Sequence, residues 1–184
     1  MSIVFLDTET TSLLAVEAAD LSHQPHIVEI YAQKTDYNLD KISELHIVMK
    51  PPIKIPPEVS KIHGITDEDV KGKYPFGAYY RQIASYFLDV THMIGHNIQY
   101  DKRMFIYELQ RINKQYSFPW PIRDVCTVEE IQKIKGHRMS LQNLHEELFG
   151  GQFPNAHRAK DDVEALIRVY KEMVRRDMIK APAR

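Results

Sequence analysis

Apolar and polar positions along this chain follow two rhythms, and the rhythms predict its elements. Ile3 to Leu6 is a short apolar run with β-branched and aromatic members that ends at Asp7, the pattern of a buried strand. His26 to Lys34 (HIVEIYAQK) predicts a second strand, and Ile42 to Met49 (ISELHIVM), alternating with period two, predicts a third. Short connections among the three imply an antiparallel meander. Residues 50–57 (KPPIKIPP) place four prolines in eight positions, which excludes helix and central strand there. A helical turn follows from Glu58, and Thr66-Asp67 ahead of Glu68, Asp69 and Val70 predicts a helix start. Phe76 to Val90 carries apolar residues at helical spacing, and Thr91 to Gly95 predicts a fourth strand. A helix over residues 99–113 starts near Asp101, Pro119 and Pro121 break the chain, and Ile122 to Val125 predicts a fifth strand. Thr127 to Ile134 and Ser140 to Leu148 predict two short helices, the second ended by Gly150-Gly151. A last helix after His157 aligns Val163, Leu166, Ile167, Tyr170 and Met173 on one face. Three strands followed by alternating helices and strands predict an α/β chain whose mixed sheet has helices packed on its faces.

Composition narrows the reading only a little. A chain of 184 residues, 43% hydrophobic and 27% charged, fits one packed domain, taken as residues 1–178 with a short tail over 179–184. The net charge of −1 excludes a basic coat for nucleic acid, so polyanion binding would need a local patch or bound cations. Cys126 is the one cysteine, which rules out an intramolecular disulfide and fits a reducing compartment. MSIVFLDTET lacks the pattern of a secretion signal, and no apolar window is long enough for a membrane span. The expectation is a soluble, cytoplasmic protein with no membrane partner.

Chemistry enters through carboxylates at predicted element ends. Asp7 and Glu9 stand two apart in FLDTETTS, so on an extended chain both face one way. Acids that close repel unless protonated or bridged by a hard divalent cation such as Mg²⁺ or Mn²⁺. Alone, the pair reads first as an acidic turn after a strand. Asp101 follows the fourth strand in the first turn of a helix, where an acid also favours the helix dipole. HRAKDD places His157 five residues before Asp162 at the front of the last helix, where a surface histidine beside a helix-starting acidic pair is the plain alternative.

Asp-x-Glu, then Asp, then His-x4-Asp, in that order, resembles the DEDDh or DnaQ-like 3′–5′ exonuclease family, and within it the proofreading exonucleases of the DNA polymerase III epsilon type. The resemblance runs over roughly residues 3–176 and includes IHGIT at 62–66. It implies a ribonuclease H-like fold with a five-stranded mixed sheet and helices on both faces. It also implies two divalent cations, Mg²⁺ or Mn²⁺, held by Asp7, Glu9, Asp101 and Asp162, with His157 as general base. A sister subgroup has tyrosine four residues before the last acid, where this chain has Arg158. Two cations would stabilise the attacking and leaving oxygens of a phosphodiester, and a neutral imidazole titrates in the right range to remove a proton. The products would be nucleoside 5′-monophosphates released from a 3′ end. By the same resemblance, the backbone at Thr8 and Thr10, together with Leu13, lines the terminal nucleotide, and Glu58 and His63 contact it. His63 is equally a structural histidine of the IHGIT turn. Asn97 would bind a phosphate or sugar, or cap the following helix. Lys102, Arg103, Arg158 and Lys160 would steer the strand, or are ordinary solvated surface.

The remaining signals are weaker. His96 reads as structural and Cys126 as a small buried filler; the histidines have no zinc spacing and no glycine-rich phosphate loop is present. Tyr100 stands where relatives often have phenylalanine, and the stretch from Leu13 to Ile27 is long for the pattern. ELFG at 147–150 looks superficially like a clamp-binding peptide but falls in a predicted helix. Only IKAPAR follows the last helix, shorter than the extension by which proofreading subunits grip a polymerase, so a DNA polymerase partner is a secondary expectation. The favoured substrate is single-stranded DNA with a free 3′ end. A 3′–5′ exoribonuclease of the same family (ribonuclease T-like or oligoribonuclease-like) is the first alternative. A non-catalytic nucleic-acid-binding module on the same fold is the second.

Overall fold

A computed structural model of the chain describes residues 1–13 and 20–182. Five strands form one sheet: β1 (Ser2–Thr10), β2 (Ile27–Thr35), β3 (Lys41–Val48), β4 (Val90–Gly95) and β5 (Arg123–Cys126). Their spatial order is β3-β2-β1-β4-β5. β1 pairs antiparallel with β2, and β2 with β3, as the short connections require; β4 joins β1 in parallel, and β5 joins β4 in parallel, after helical crossovers. Around the sheet lie α1 (Pro57–His63), α2 (Phe76–Phe87), α3 (Ile98–Arg111), α4 (Thr127–Lys135), α5 (Leu141–Phe149) and α6 (Ala159–Arg175).

Strand alternation sorts β1 into two cores. Val4 and Leu6 pack with Phe76, Ile83, Phe87, Met104 and Phe105 from α2 and α3. Ile3 and Phe5 pack on the opposite face with Leu144 of α5 and Val163, Leu166, Tyr170 and Met173 of α6. Phe5 meets Tyr170 edge-to-face at 5.5 Å between ring centroids. Helices thus cover both faces, and β1, the middle strand, is buried on both. No helix among the described residues is long and apolar enough to cross a membrane.

Several local features differ from expectation. α1 takes Pro57 as its first residue, inside the proline block where helix was excluded, because a first-turn position needs no N–H, and α2 ends at Phe87 with Val90 in β4. β1 does not stop at Asp7 but runs through Glu9 to Thr10, because β2 continues to pair with it; a bulge at Val28 of β2 shifts the register between Glu9 and Thr10. The helix expected from Thr66 is a run of turns over 67–72. There the Asp69 carboxylate accepts the Thr66 N–H at 2.8 Å and the Thr66 hydroxyl at 2.6 Å, and Gly72 at φ 77° ends the turn before helical pairing can propagate. Residues 14–19 of the long stretch after Leu13 lie outside the described residues.

The end of β4 tolerates no side chain. A Cβ on Gly95 would sit 2.6 Å from Ile98 Cδ1, 2.9 Å from its Cβ and 3.1 Å from its Cα. Gly95→Ala is therefore expected to push α3 off the sheet and to cost about 1–3 kcal/mol in denaturant unfolding. An unchanged midpoint would show that α3 has slack at its start.

Candidate active site

The alternation that buries Ile3 and Phe5 under α6 carries on to Asp7 and Glu9. Both point to the α6 face and both are half-buried. Asp162 approaches them from the first turn of α6. One carboxylate oxygen from each of Asp7, Glu9 and Asp162 lies within 4.8 Å of the others. A cleft of 230 Å³ opens beside them, lined by Asp7, Asp162, His157, His96 and Phe153.

Asp101 comes from the opposite face. Parallel pairing of β1 with β4 ends at Phe5 and Ile94, which leaves the Thr8 N–H without a strand partner. Asp101 Oδ1 accepts that N–H at 3.0 Å and the Thr8 hydroxyl at 2.7 Å. It is buried at 3% exposure and stands outside the group of three within 4.8 Å. Its position in the first turn of α3 is as expected, but its carboxylate is engaged with β1.

Burial and mutual repulsion raise the carboxylates. Burial, then Asp101, Glu9 and Asp162, push Asp7 well above its ordinary value. Burial, Asp162, Glu29 and Asp101 push Glu9 up to about 9, with Arg158 opposing. Burial raises Asp101 to about 7 against the pull of the Thr8 hydrogen bonds, and burial raises Asp162 to about 7 against the pull of the His157 N–H.

His157 is exposed at the edge of the cleft. Its backbone is left-handed, at φ 69°, and its N–H donates to Asp162 Oδ2 at 2.8 Å. Among the residues expected at a nucleotide, Thr8 and Thr10 are buried; the Thr8 hydroxyl is spent on Asp101, and Thr10 Oγ1 lies 2.8 Å from the Ser12 carbonyl and 2.6 Å from Tyr100 Oη. What these two can offer a ligand is backbone. Leu13 is exposed, and Glu58 is exposed in the first turn of α1. His63 ends α1 and is 2% exposed; its Nδ1 accepts the Ile65 N–H at 3.0 Å. Burial lowers its pKa, with the Thr10 backbone opposing and His157 and Arg158 close enough to be felt. Asn97 is left-handed at φ 73° and its side chain does not cap α3; its Oδ1 accepts from Arg138 at 3.0 Å instead.

Lys102, Arg158 and Lys160, expected to steer the strand, each have a carboxylate of this chain as partner. Lys102 pairs with Asp124 and lies over the Trp120 ring, and Lys160 reaches Glu164 at 4.0 Å. Arg158 is bound to Glu29, which is fully buried. Glu29 and Tyr100 emerge as site residues with roles the sequence reading did not assign, whereas His96 takes the structural role expected of it. The signal for Glu29 was a lone acid inside the apolar run IVEIY, since a buried charge requires partners. Tyr100 donates to the Ser12 carbonyl at 2.9 Å and so ties the segment after β1 to α3. His96 Nδ1 meets Thr127 Oγ1 at 2.9 Å and Nε2 meets the Met139 carbonyl at 3.0 Å, and burial lowers it to about 4, so it is neutral and structural.

Comparison with known proteins identifies the family and the fold. The RNase_T family model, described as "Exonuclease", matches residues 4–170. The chain is 32% identical over 172 residues to the DNA polymerase III subunit epsilon of Treponema pallidum, covering 91% of this chain and 74% of that one. It is 30% identical over 179 residues to the same subunit of Haemophilus influenzae, covering 92% and 66%. Among solved structures it is similar to an exonuclease I (TM-score 0.77, 20% identity, 95% of this chain) and to Escherichia coli exonuclease I in complex with a dA16 oligonucleotide (TM-score 0.78, 20% identity, 95%). The chain spans 41% of each of those exonuclease I chains, and at that identity the likeness establishes the ribonuclease H-like fold. With the acids in family order and a family match over nearly its whole length, the chain belongs to the DnaQ/RNase T exonuclease family, in the DEDDh group.

Proposed function

We propose that this chain is a cation-dependent 3′–5′ exonuclease that removes nucleoside 5′-monophosphates from the 3′ end of single-stranded DNA. The observation that carries the reading is the convergence of Asp7, Glu9 and Asp162 within 4.8 Å beside a cleft that His157 also lines. The donor set fits a hard divalent cation, since it is all carboxylate oxygen, and burial leaves the charges mutually repelling. Asp7, Glu9 and Asp162 would hold the cations, with Asp101 completing the set from behind Thr8. Two bound Mg²⁺ or Mn²⁺ ions would supply Lewis-acid stabilisation of the attacking and leaving oxygens.

The chain's own residues do the rest. The His157 imidazole takes a proton from the attacking water as its oxygen bonds to phosphorus and the bond from phosphorus to the 3′ oxygen breaks. The departing 3′ oxygen acquires a proton from solvent. The freed 5′-monophosphate carries the new P–O bond. Asp162 holds the His157 backbone through its N–H, which keeps the base beside the carboxylates it serves. The polypeptide near Thr8, Thr10 and Leu13, with Glu58, His63 and Asn97, forms the surroundings in which the terminal nucleotide sits. Relatives that are DNA polymerase subunits, and a neighbouring fold complexed with a DNA oligonucleotide, support DNA as substrate and a DNA polymerase as partner.

Alanine at Asp7 or Asp162 should abolish Mg²⁺-dependent shortening of a 5′-labelled oligonucleotide. His157→Ala should lower kcat by about 10²–10⁴-fold and leave cation affinity in place. Parental rates in the Asp7 and Asp162 variants would refute the site, and lost cation binding in the histidine variant would make His157 a ligand. A panel of single-stranded, duplex and mismatched DNA and RNA tests the substrate, and RNA turnover equal to or above that of DNA would reassign it.

The raised carboxylates also predict how stability depends on pH. Their folded values, about 7 for Asp101 and Asp162 and about 9 for Glu9, lie above those of an unfolded chain. Their contribution is therefore fully present below about pH 4 and is lost as pH rises through about 7 to 9. In chelator the Tm should fall between about pH 6 and about pH 9, and Mn²⁺ should restore more of it at the alkaline end. An Asp162→Asn variant should show a flatter profile. Equal melting in chelator and Mn²⁺ at every pH would mean that the acids hold no cation.

A further inference from the structure

Glu29 is the buried charge beside the site that the chemistry above leaves unused. It stands on β2 directly across from Glu9 and is inaccessible to solvent. Four donors take its two oxygens. Arg158 reaches Oε2 through Nε at 3.3 Å and Oε1 through its terminal nitrogen at 3.0 Å. The Ala159 N–H reaches Oε2 at 3.2 Å, and His46 Nε2 lies 2.7 Å from Oε1. With its oxygens so occupied, Glu29 is a poor candidate for a further cation ligand. Burial alone would raise it, but the bonds from Arg158 and His46 outweigh burial and hold it below its ordinary value.

Two of those partners fall at one place in the chain. Arg158 is the residue before α6, and Ala159 is its first residue. His157 immediately precedes them in a left-handed conformation that non-glycine residues adopt at a cost. Its N–H is held in turn by Asp162. The three residues 157–159 are thus clamped from two sides: forward by Asp162 on α6 and sideways by Glu29 on the sheet. Resting on the reading of His157 as base, we propose that Glu29 is a positioning residue. Through Arg158 and Ala159 it fixes where α6 begins, and with it the backbone of His157, so that the imidazole is delivered to the Asp7–Glu9–Asp162 cluster. Arginine suits the task because its planar fork binds both carboxylate oxygens, whereas a lysine would offer a point charge with no fixed direction.

The test uses Glu29→Gln, Arg158→Met and His46→Gln in the full chain. Glu29→Gln should lower kcat by about 10–100-fold, the usual range for partners that orient a site. KM for a single-stranded oligonucleotide should stay within about twofold. Arg158→Met should do the same, and the double variant should be no worse than the poorer single variant, because both break one clamp. His46 touches Glu29 without reaching α6, so His46→Gln should keep kcat within about twofold of the parent. Amide exchange followed by mass spectrometry supplies a readout independent of turnover. Residues 157–162 should exchange faster in Glu29→Gln and Arg158→Met, with β4 and α3 unchanged. Parental kcat and parental exchange in both clamp variants would overturn the inference. So would additive losses in the double variant, or a loss in His46→Gln as large as that in Glu29→Gln. If Asp162→Ala kept parental activity, the functional reading would fall, while the exchange result would still decide whether Glu29 holds the start of α6.

Discussion

Three carboxylates with oxygens within 4.8 Å of one another, on a partly buried surface, form the constraint around which the rest of this structure is arranged. Like charges at that spacing push apart or take up protons; burial first, and neighbouring acids after it, raise Asp7, Glu9 and Asp162. A flexible scaffold would relax the repulsion by moving the acids away. This scaffold cannot, because the side chains next to the acids are packed. Phe5 is two residues before Asp7, and Val163 directly follows Asp162; both are wholly buried in the same core as Tyr170. Each fully buried side chain of that kind contributes roughly 1.5–3 kcal/mol. Apolar burial between β1 and α6 therefore fixes a geometry that electrostatics alone would dissolve, and a bound cation would remove the conflict.

Delivery of the acids depends on how strands end. β1 pairs with β2 from Ile3 to Thr10, but β4 leaves it after Phe5. The open edge beyond that point has an N–H to satisfy, and Asp101 satisfies it from α3. The same early end gives the chain room to turn at His96-Asn97, where left-handed Asn97 starts α3. Gly95 permits the close approach of Ile98 that sets the direction of this helix. One strand and two helices on opposite faces thus meet at a single edge, and the period of two along β1 decides which acid faces which helix.

Much of this was legible in the amino-acid order. The apolar run before Asp7, the amphipathic spacing of α6 and the proline block at 50–57 each follow from local rules, although β1 runs on to Thr10 and α1 takes Pro57 as its first residue. Asp7 and Glu9 share a face because spacing by two works in any strand. The rest was hidden because it depends on contacts distant along the chain. Arg158 reads from the sequence as a strand-steering cation or as solvated surface, yet its partner Glu29 lies 129 residues away. Tyr100 looked like a minor exchange for phenylalanine, yet its hydroxyl reaches Ser12, 88 residues earlier. The turns over 67–72 were missed for the opposite reason: Thr66 and Asp69 hydrogen-bond so locally that they compete with the helix they resemble at its start.

Five carboxylates crowd this end of the sheet, and their environments divide them into two sets. Asp7, Glu9, Asp101 and Asp162 are raised, while Glu29 is lowered although it is inaccessible to solvent and sits directly across from Glu9. The difference lies in the donors around Glu29, Arg158 first, then His46 and the Ala159 N–H. A guanidinium that binds Glu29 is spent as a counter-ion for it, which leaves the other acids short of positive charge and receptive to a cation. The same arginine leads into α6, so its placement couples two requirements. It holds the Glu29 carboxyl below its ordinary value in a structural role, and it sets the helix start from which Asp162 projects. His157 benefits from both without being enclosed: its backbone is held at the N–H by Asp162 while its side chain remains exposed to water, the medium from which the attacking group must come.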